Sequence, residues 1–209
     1  LPGLILGCLV CCALWGSAFP CIKIGYGLFG IPAHDSASQL LFAGLRFTLA
    51  GMLVIIGMSV VQHRPLVPQA RDIKPICILS LFQTIGQYFF FYLGLSRASA
   101  MSSSIIASTV AGALSTCLIG IFSREHDGVL LAGWQFLVGG LVLTAIGFLM
   151  GGMLSPTAII PAIALIIYMA LISAVAYSLW SRLLAVNPVS RVSVFGFMNP
   201  VFGVLLSAL

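Results

Sequence analysis

The chemistry open to this chain depends on which polar side chains lie inside its apolar stretches. These include two cations, Lys23 and Arg46, and a polar run of Gln83, Thr84, Gln87 and Tyr88. Gln83 with Gln87, and Thr84 with Tyr88, stand four residues apart, so on a helix they form one stripe that must face protein or water. The four acids, Asp35, Asp72, Glu125 and Asp127, and the three histidines, His34, His63 and His126, all fall between the apolar stretches. An intramembrane hydrolase needs paired carboxylates, a Ser/His dyad or a metal cluster, and no such set falls within those stretches. The expectation is a protein that is not an enzyme and uses no metal or cofactor.

Depth separates the two cations, because a charge at mid-membrane costs at least about 2.5 to 3.5 kcal/mol. Lys23 lies roughly 28 Å along its helix, close enough to an interface for its ammonium to snorkel. Arg46 lies about 10 Å inside its helix, where it needs a partner such as Asp35, helix carbonyls, or a cavity. With no acid beside it, its planar fork suits a carboxylate, whereas a lipophilic cation would need a buried acid. Arg46, Gln83, Gln87, Tyr88, Tyr177, Trp15 and Lys23 are therefore the candidate substrate-binding residues; interhelical hydrogen bonding also accounts for the stripe, and an aromatic such as Trp15 in a membrane helix is more often a packing residue. Pro20, Pro161 and Pro200 are candidate hinges.

These residues must be carried by membrane helices. Of 209 residues, 61% are hydrophobic and 6% charged, against roughly a quarter charged in soluble domains. Seven apolar segments of about twenty residues follow: Leu4 to Leu28, Gln39 to Val61, Pro75 to Leu95, Ser99 to Phe122, Val129 to Met150, Ile159 to Trp180 and Val192 to Leu209. The fold class is all-α, a polytopic membrane protein with about seven spans. Ser102, Ser103, Ser104, Ser108, Thr109, Gly112, Ser115, Thr116 and Gly120 give the fourth span a small-residue face for close packing. Cys8, Cys11, Cys12, Cys21, Cys77 and Cys117 lie in apolar segments as packing residues. The net charge of +5 includes no aromatic-interleaved basic patch, which excludes nucleic acid as a partner. Arg64, Arg71, Lys74, Arg124, Arg182 and Arg191 lie in even connections and only Arg97 in an odd one, which places the N-terminus in the cytoplasm. Beginning at Leu1 and ending at Leu209 within an apolar run, the chain reads as a fragment of a longer one.

A repeat appears at an offset of 89 residues. Leu41, Ala43, Gly44, Phe47 and Gly51 fall on Leu130, Ala132, Gly133, Phe136 and Gly140, and Ile78, Tyr88, Leu95 and Ser104 on Ile167, Tyr177, Leu184 and Ser193. An odd separation of three spans makes the copies antiparallel: 1–122 with four spans, and 123–209 with three. Inverted repeats of this kind suit secondary transport by alternating access.

Trp15-Gly16-Ser17-Ala18-Phe19-Pro20 followed by Lys23, then Arg46-Phe47 with Ala50-Gly51, and Asn199-Pro200 in the last span resemble an EamA-type member of the drug/metabolite transporter superfamily. The resemblance implies ten helices in two inverted sets of five, and movement of amino acids or other small metabolites, mostly outward across the inner membrane. Against that pattern the fifth, sixth and tenth helices are missing. The fourth span runs through Arg124-Glu125-His126-Asp127 into what resembles the seventh helix, and Ala111 stands at the position equivalent to Pro200. The expected function is transport of a small carboxylate-bearing metabolite. Its partners are that substrate and the lipid bilayer, and a homo-oligomer is compatible with the sequence. The alternative is a structural or assembly membrane subunit, or an inactive transporter fragment.

Overall fold

The structure is a computed structural model that describes residues 2–96 and 101–208. The described residues form seven helices. α1 is Pro2–Leu28, α2 Ser36–Val61, α4 Met101–Phe122, α5 Gly128–Leu149 and α6 Ile159–Val186. α3 spans 70–96 and changes form twice, with a π segment at Ser80–Gly86 between two α-helical arms. α7 spans 189–207 and contains a 3₁₀ turn at Val194–Phe197. Six of the seven are long and apolar enough to cross a bilayer, and α4 contributes a shorter apolar stretch, Thr109–Phe122. The chain is a multi-pass, all-helical membrane protein.

Local chemistry sets several boundaries away from the hydropathy limits. α2 starts at Ser36 because Asp35 accepts hydrogen bonds from the backbone N–H groups of Ala37 and Ser38. Asp127 does the same for α5 through Val129 and Leu130. Burial works against the Asp35 carboxylate, but bonds from Ser38 and Ala37, with His34 alongside, outweigh it and hold the carboxyl below its ordinary range. α3 begins at Ala70, five residues before the hydropathy limit at Pro75, on a Gln69/Asp72 capping box. α6 runs past Trp180 to Val186 and stops at Asn187-Pro188, where the following proline disfavours helical geometry.

The centre of the bundle is the crossing of α2 and α5. A methyl on Gly51 would collide with the backbone nitrogen of Leu137, and a methyl on Gly140 with that of Thr48. Gly51 and Gly140 stand 89 residues apart, as do Thr48 and Leu137, so the two contacts are one contact seen from both copies. Gly44 against Thr144 is mirrored in the same way by Gly133 against Ile55. Phe47 stacks on its own counterpart, Phe136, with ring centroids 5.3 Å apart and planes 11° from parallel. A residue that touches its own repeat equivalent lies on the pseudo-two-fold axis. The inverted repeat is thus present as contacts.

The symmetry is broken in two helices. The α3 segment holding the π turn corresponds to unbroken α-helix in α6, and the 3₁₀ turn of α7 corresponds to unbroken helix in α4. Ser102, Ser103, Ser104 and Ser108 have side chains outside the described residues, as does Arg97 entirely.

Because the α2–α5 approach admits no side chain, Gly51→Ala is expected to lower unfolding stability by about 1 to 3 kcal/mol. Gly57→Ala, on the same helix with open space around it, should leave stability unchanged or slightly raised. Thermal unfolding in detergent, followed by circular dichroism, measures both.

Candidate functional site

A cavity of about 780 Å³ opens between α1, α2, α3, α4, α6 and α7. Its size suits a small-molecule site. Trp15, Arg46, Gln83, Gln87, Tyr88 and Tyr177 all line it, so six of the seven binding candidates converge on one space. Lys23 does not join them. It is exposed on the outer face of α1, since the helical turn that carries Trp15 and Ile22 inward carries Lys23 outward.

Among the described residues Arg46 is the one charged side chain on the cavity wall, and only 2% of its surface is exposed. Its guanidinium lies over the Phe47 ring at 4.3 Å and within 5.7 Å of the Tyr88 ring. Stacking on ring faces offsets part of the cost of burying it. Nε finds no hydrogen-bond partner, and no carboxylate among the described residues lies within ion-pair distance. The expected pairing with Asp35 does not form, because that carboxylate is committed to capping α2.

The polar stripe is split by the π segment, which adds a residue per turn and so rotates successive side chains out of a single line. Gln83, 3% exposed, accepts a 2.6 Å hydrogen bond from the amide of Gln135. Thr84 is turned away from the cavity, and its Cβ fills the space that a side chain on Gly139 would need. Gln87 and Tyr88 stay on the cavity side, Gln87 packed over Gly112. Gln135 is the repeat equivalent of Arg46, so the two copies place a bonded amide and a guanidinium with no acid partner at matching positions.

Tyr88 and Tyr177, also repeat equivalents, share a 2.9 Å hydrogen bond between hydroxyls. They extend the axis begun by Phe47 and Phe136: Tyr88 packs on Phe47 at 4.4 Å and Tyr177 on Phe136 at 4.6 Å. Trp15 closes the cluster by edge contacts to Tyr177 at 4.8 Å and Trp180 at 5.1 Å. Its indole Nε1 has no partner.

The proline candidates divide. α1 runs through Pro20 without a break. Pro161 sits in the first turn of α6, where a missing N–H costs no helical hydrogen bond, so it starts the helix and does not bend it. Pro200, whose side chain lies outside the described residues, falls in the first turn that follows the 3₁₀ segment of α7. Beside it Asn199, which sequence reasoning took only as part of a family motif, lines the cavity with an unpartnered Oδ1. Ser115, Thr116 and Ser173 also line it. The one advance signal was the small-residue face of the fourth span, which carries Ser115 and Thr116.

The Tyr88–Tyr177 bond joins the copies at the cavity floor. Tyr88→Phe and Tyr177→Phe should each cost stability and the double variant little more than either. A double-mutant cycle of thermal unfolding should give a coupling of about 0.5 to 1.5 kcal/mol, and additivity would mean the hydroxyls do not interact.

Comparison with known proteins adds one match. The model of the EamA-like transporter family matches twice, at residues 1–112 and 103–209, the two segments overlapping within α4. No curated protein and no solved structure matches the chain.

Proposed function

Because the chain belongs to the EamA-like transporter family, we propose that it moves a small metabolite whose carboxylate is held by Arg46. The observation that carries this is an arginine with 2% of its surface exposed that lines a cavity and has no anionic partner among the described residues. A buried, uncompensated charge is costly, and an incoming carboxylate would relieve that cost through a charge-assisted, bidentate pair. Gln87 and Tyr88 are placed to hold further polar groups, and Trp15 and Tyr177 to receive an apolar body. Amino acids and related carboxylates fit these requirements; a lipophilic cation does not, since no acid lines the cavity among the described residues.

The route is alternating access between the antiparallel copies, 1–122 and 123–209. Contacts on the axis, such as Phe47 with Phe136 and Tyr88 with Tyr177, map onto themselves when the copies exchange shapes. They serve as the pivot. The Gln83–Gln135 bond is off the axis and its mirror would pair Ile172 with Arg46, so it belongs to one access state. The N-terminus lies in the cytoplasm of a cell whose inner membrane holds the protein, an orientation supported by the exposed Arg64, Arg71, Lys74, Arg124, Arg182 and Arg191 at one end of the bundle.

In proteoliposomes, counterflow of ¹⁴C-leucine and ¹⁴C-phenylalanine should fall about tenfold or more in Arg46→Gln, as loss of a charge-assisted hydrogen bond implies. Glutamine already occupies the equivalent position 135, so the side chain fits. Lys23→Gln should transport normally. Undiminished counterflow in Arg46→Gln would remove the carboxylate assignment.

Orientation is checked separately with single cysteines in a cysteine-free background. An impermeant maleimide on intact cells should label Ala33→Cys in the exposed α1–α2 connection and spare Val67→Cys in the exposed α2–α3 connection. The opposite pattern reverses the assigned orientation.

A further inference from the structure

Two buried amides meet where the π segment of α3 packs on α5. Gln83 borders the cavity, whereas Gln135, 1% exposed, lies behind the wall. Ser80 donates to the Gln135 main-chain carbonyl at 3.2 Å, and Gln135 Nε2 donates to Gln83 Oε1 at 2.6 Å, so one residue of α5 is held twice by the same segment. An amide side chain is an acceptor at its oxygen and a donor at its nitrogen. With the Gln83 oxygen turned to α5, its NH2 is what remains for the cavity, and no hydrogen bond among the described residues takes those hydrogens. Gln135 Oε1 is sealed in without a partner, but Gln83 Nε2 is not sealed. The direction of the bond follows from Gln135. Turning both amides over would leave Gln135 with a buried NH2 in place of one buried carbonyl oxygen, and unpartnered buried N–H groups are the rarer of the two. Turning either amide alone sets nitrogen against nitrogen or oxygen against oxygen at 2.6 Å.

We propose that Gln135 is a positioning residue that fixes Gln83 as a hydrogen-bond donor toward the ligand, and so sets the preference of the wall for a carboxylate. The proposal rests on the assignment of Arg46 as the carboxylate anchor and adds how a neutral part of the wall acquires its polarity. An ionised carboxylate only accepts, so an NH2 held toward it is a match and a carbonyl oxygen held toward it is a repulsion. Gln135 touches no ligand and acts through Gln83 alone. Its repeat equivalent is Arg46, so the two copies serve the ligand from matching positions, one by direct contact and the other through a neighbour. A site whose polar groups are held in one sense rejects a ligand that leaves them unmatched, which is the kind of penalty that separates close analogues.

The test uses two probes of one shape, 3-phenylpropanoate and 3-phenylpropanamide, titrated calorimetrically against the purified chain in nanodiscs. The wild type should bind the acid more tightly than the amide. Gln135→Leu removes the partner and lets the Gln83 amide turn; it should weaken the acid about tenfold and the amide, which can meet either end of Gln83, less than twofold. Gln135→Met repeats the measurement with an unbranched side chain. Gln83→Met should give the same loss of preference, and Gln83→Met/Gln135→Leu no further loss, because the second change acts only through the first. The double variant replaces both partners with apolar groups, so its thermal unfolding should stay near that of the wild type. Arg46→Gln should also lower the preference for the acid. If Gln135→Leu and Gln135→Met leave both probes unchanged or weaken them equally, or if Gln135→Leu lowers the preference further when added to Gln83→Met, the positioning role is overturned and the carboxylate assignment stands. A wild type that does not prefer the acid, or an Arg46→Gln variant that keeps the full preference, removes that assignment and the positioning role with it.

Discussion

The bundle depends on how closely α2 and α5 can approach. Where they cross, the backbone of one helix occupies the space that a side chain of the other would need, at Gly51 and Gly140 and again at Gly44 and Gly147. Apolar burial between helices does little inside a bilayer, because lipid is as apolar as leucine, so close backbone packing must hold such a pair together. The approach fixes the Phe47–Phe136 stack, and that stack fixes Tyr88 and Tyr177 above it. The floor of the cavity follows from glycines that never touch a ligand.

Much of this was legible in the sequence, and for a physical reason. The 89-residue register matches glycine with glycine and phenylalanine with phenylalanine because a contact on a two-fold axis demands the same residue size from both copies. The stripe of Gln83, Gln87 and Tyr88 was legible because polar groups in an apolar helix stand out. The π turn at Ser80–Gly86 was not: its residues Gln83 and Thr84 pack on α5, a tertiary contact that leaves no local pattern. Lys23 lies away from the cavity that the other candidates share, because depth along a helix says nothing about direction around it. Asp35 was a candidate partner for Arg46, yet two N–H groups at the start of α2 claim it first.

Departures from symmetry coincide with chemistry. At one pair of equivalent positions the second copy holds Gln135, tied to Gln83, and the first holds Arg46, tied to no acid. The π turn interrupts α3 where its polar groups enter the core, and the 3₁₀ turn interrupts α7 immediately before Asn199. Both breaks free a helix from strict i to i+4 bonding at a wall of the cavity, the setting in which irregular backbone is tolerated at membrane depth.

The self-matching contacts along α2 and α5 have a further meaning. A residue that meets its own equivalent, and a pair of contacts that exchange under the two-fold, are the defining features of an isologous interface between two identical subunits. The copies meet as an antiparallel homodimer would, with the partners strung on one polypeptide. Two separate, identical subunits could place only arginine opposite arginine, or glutamine opposite glutamine. Once fused, they are free to differ, and a symmetric assembly gains a charged side and a neutral side without changing the surface that holds it together.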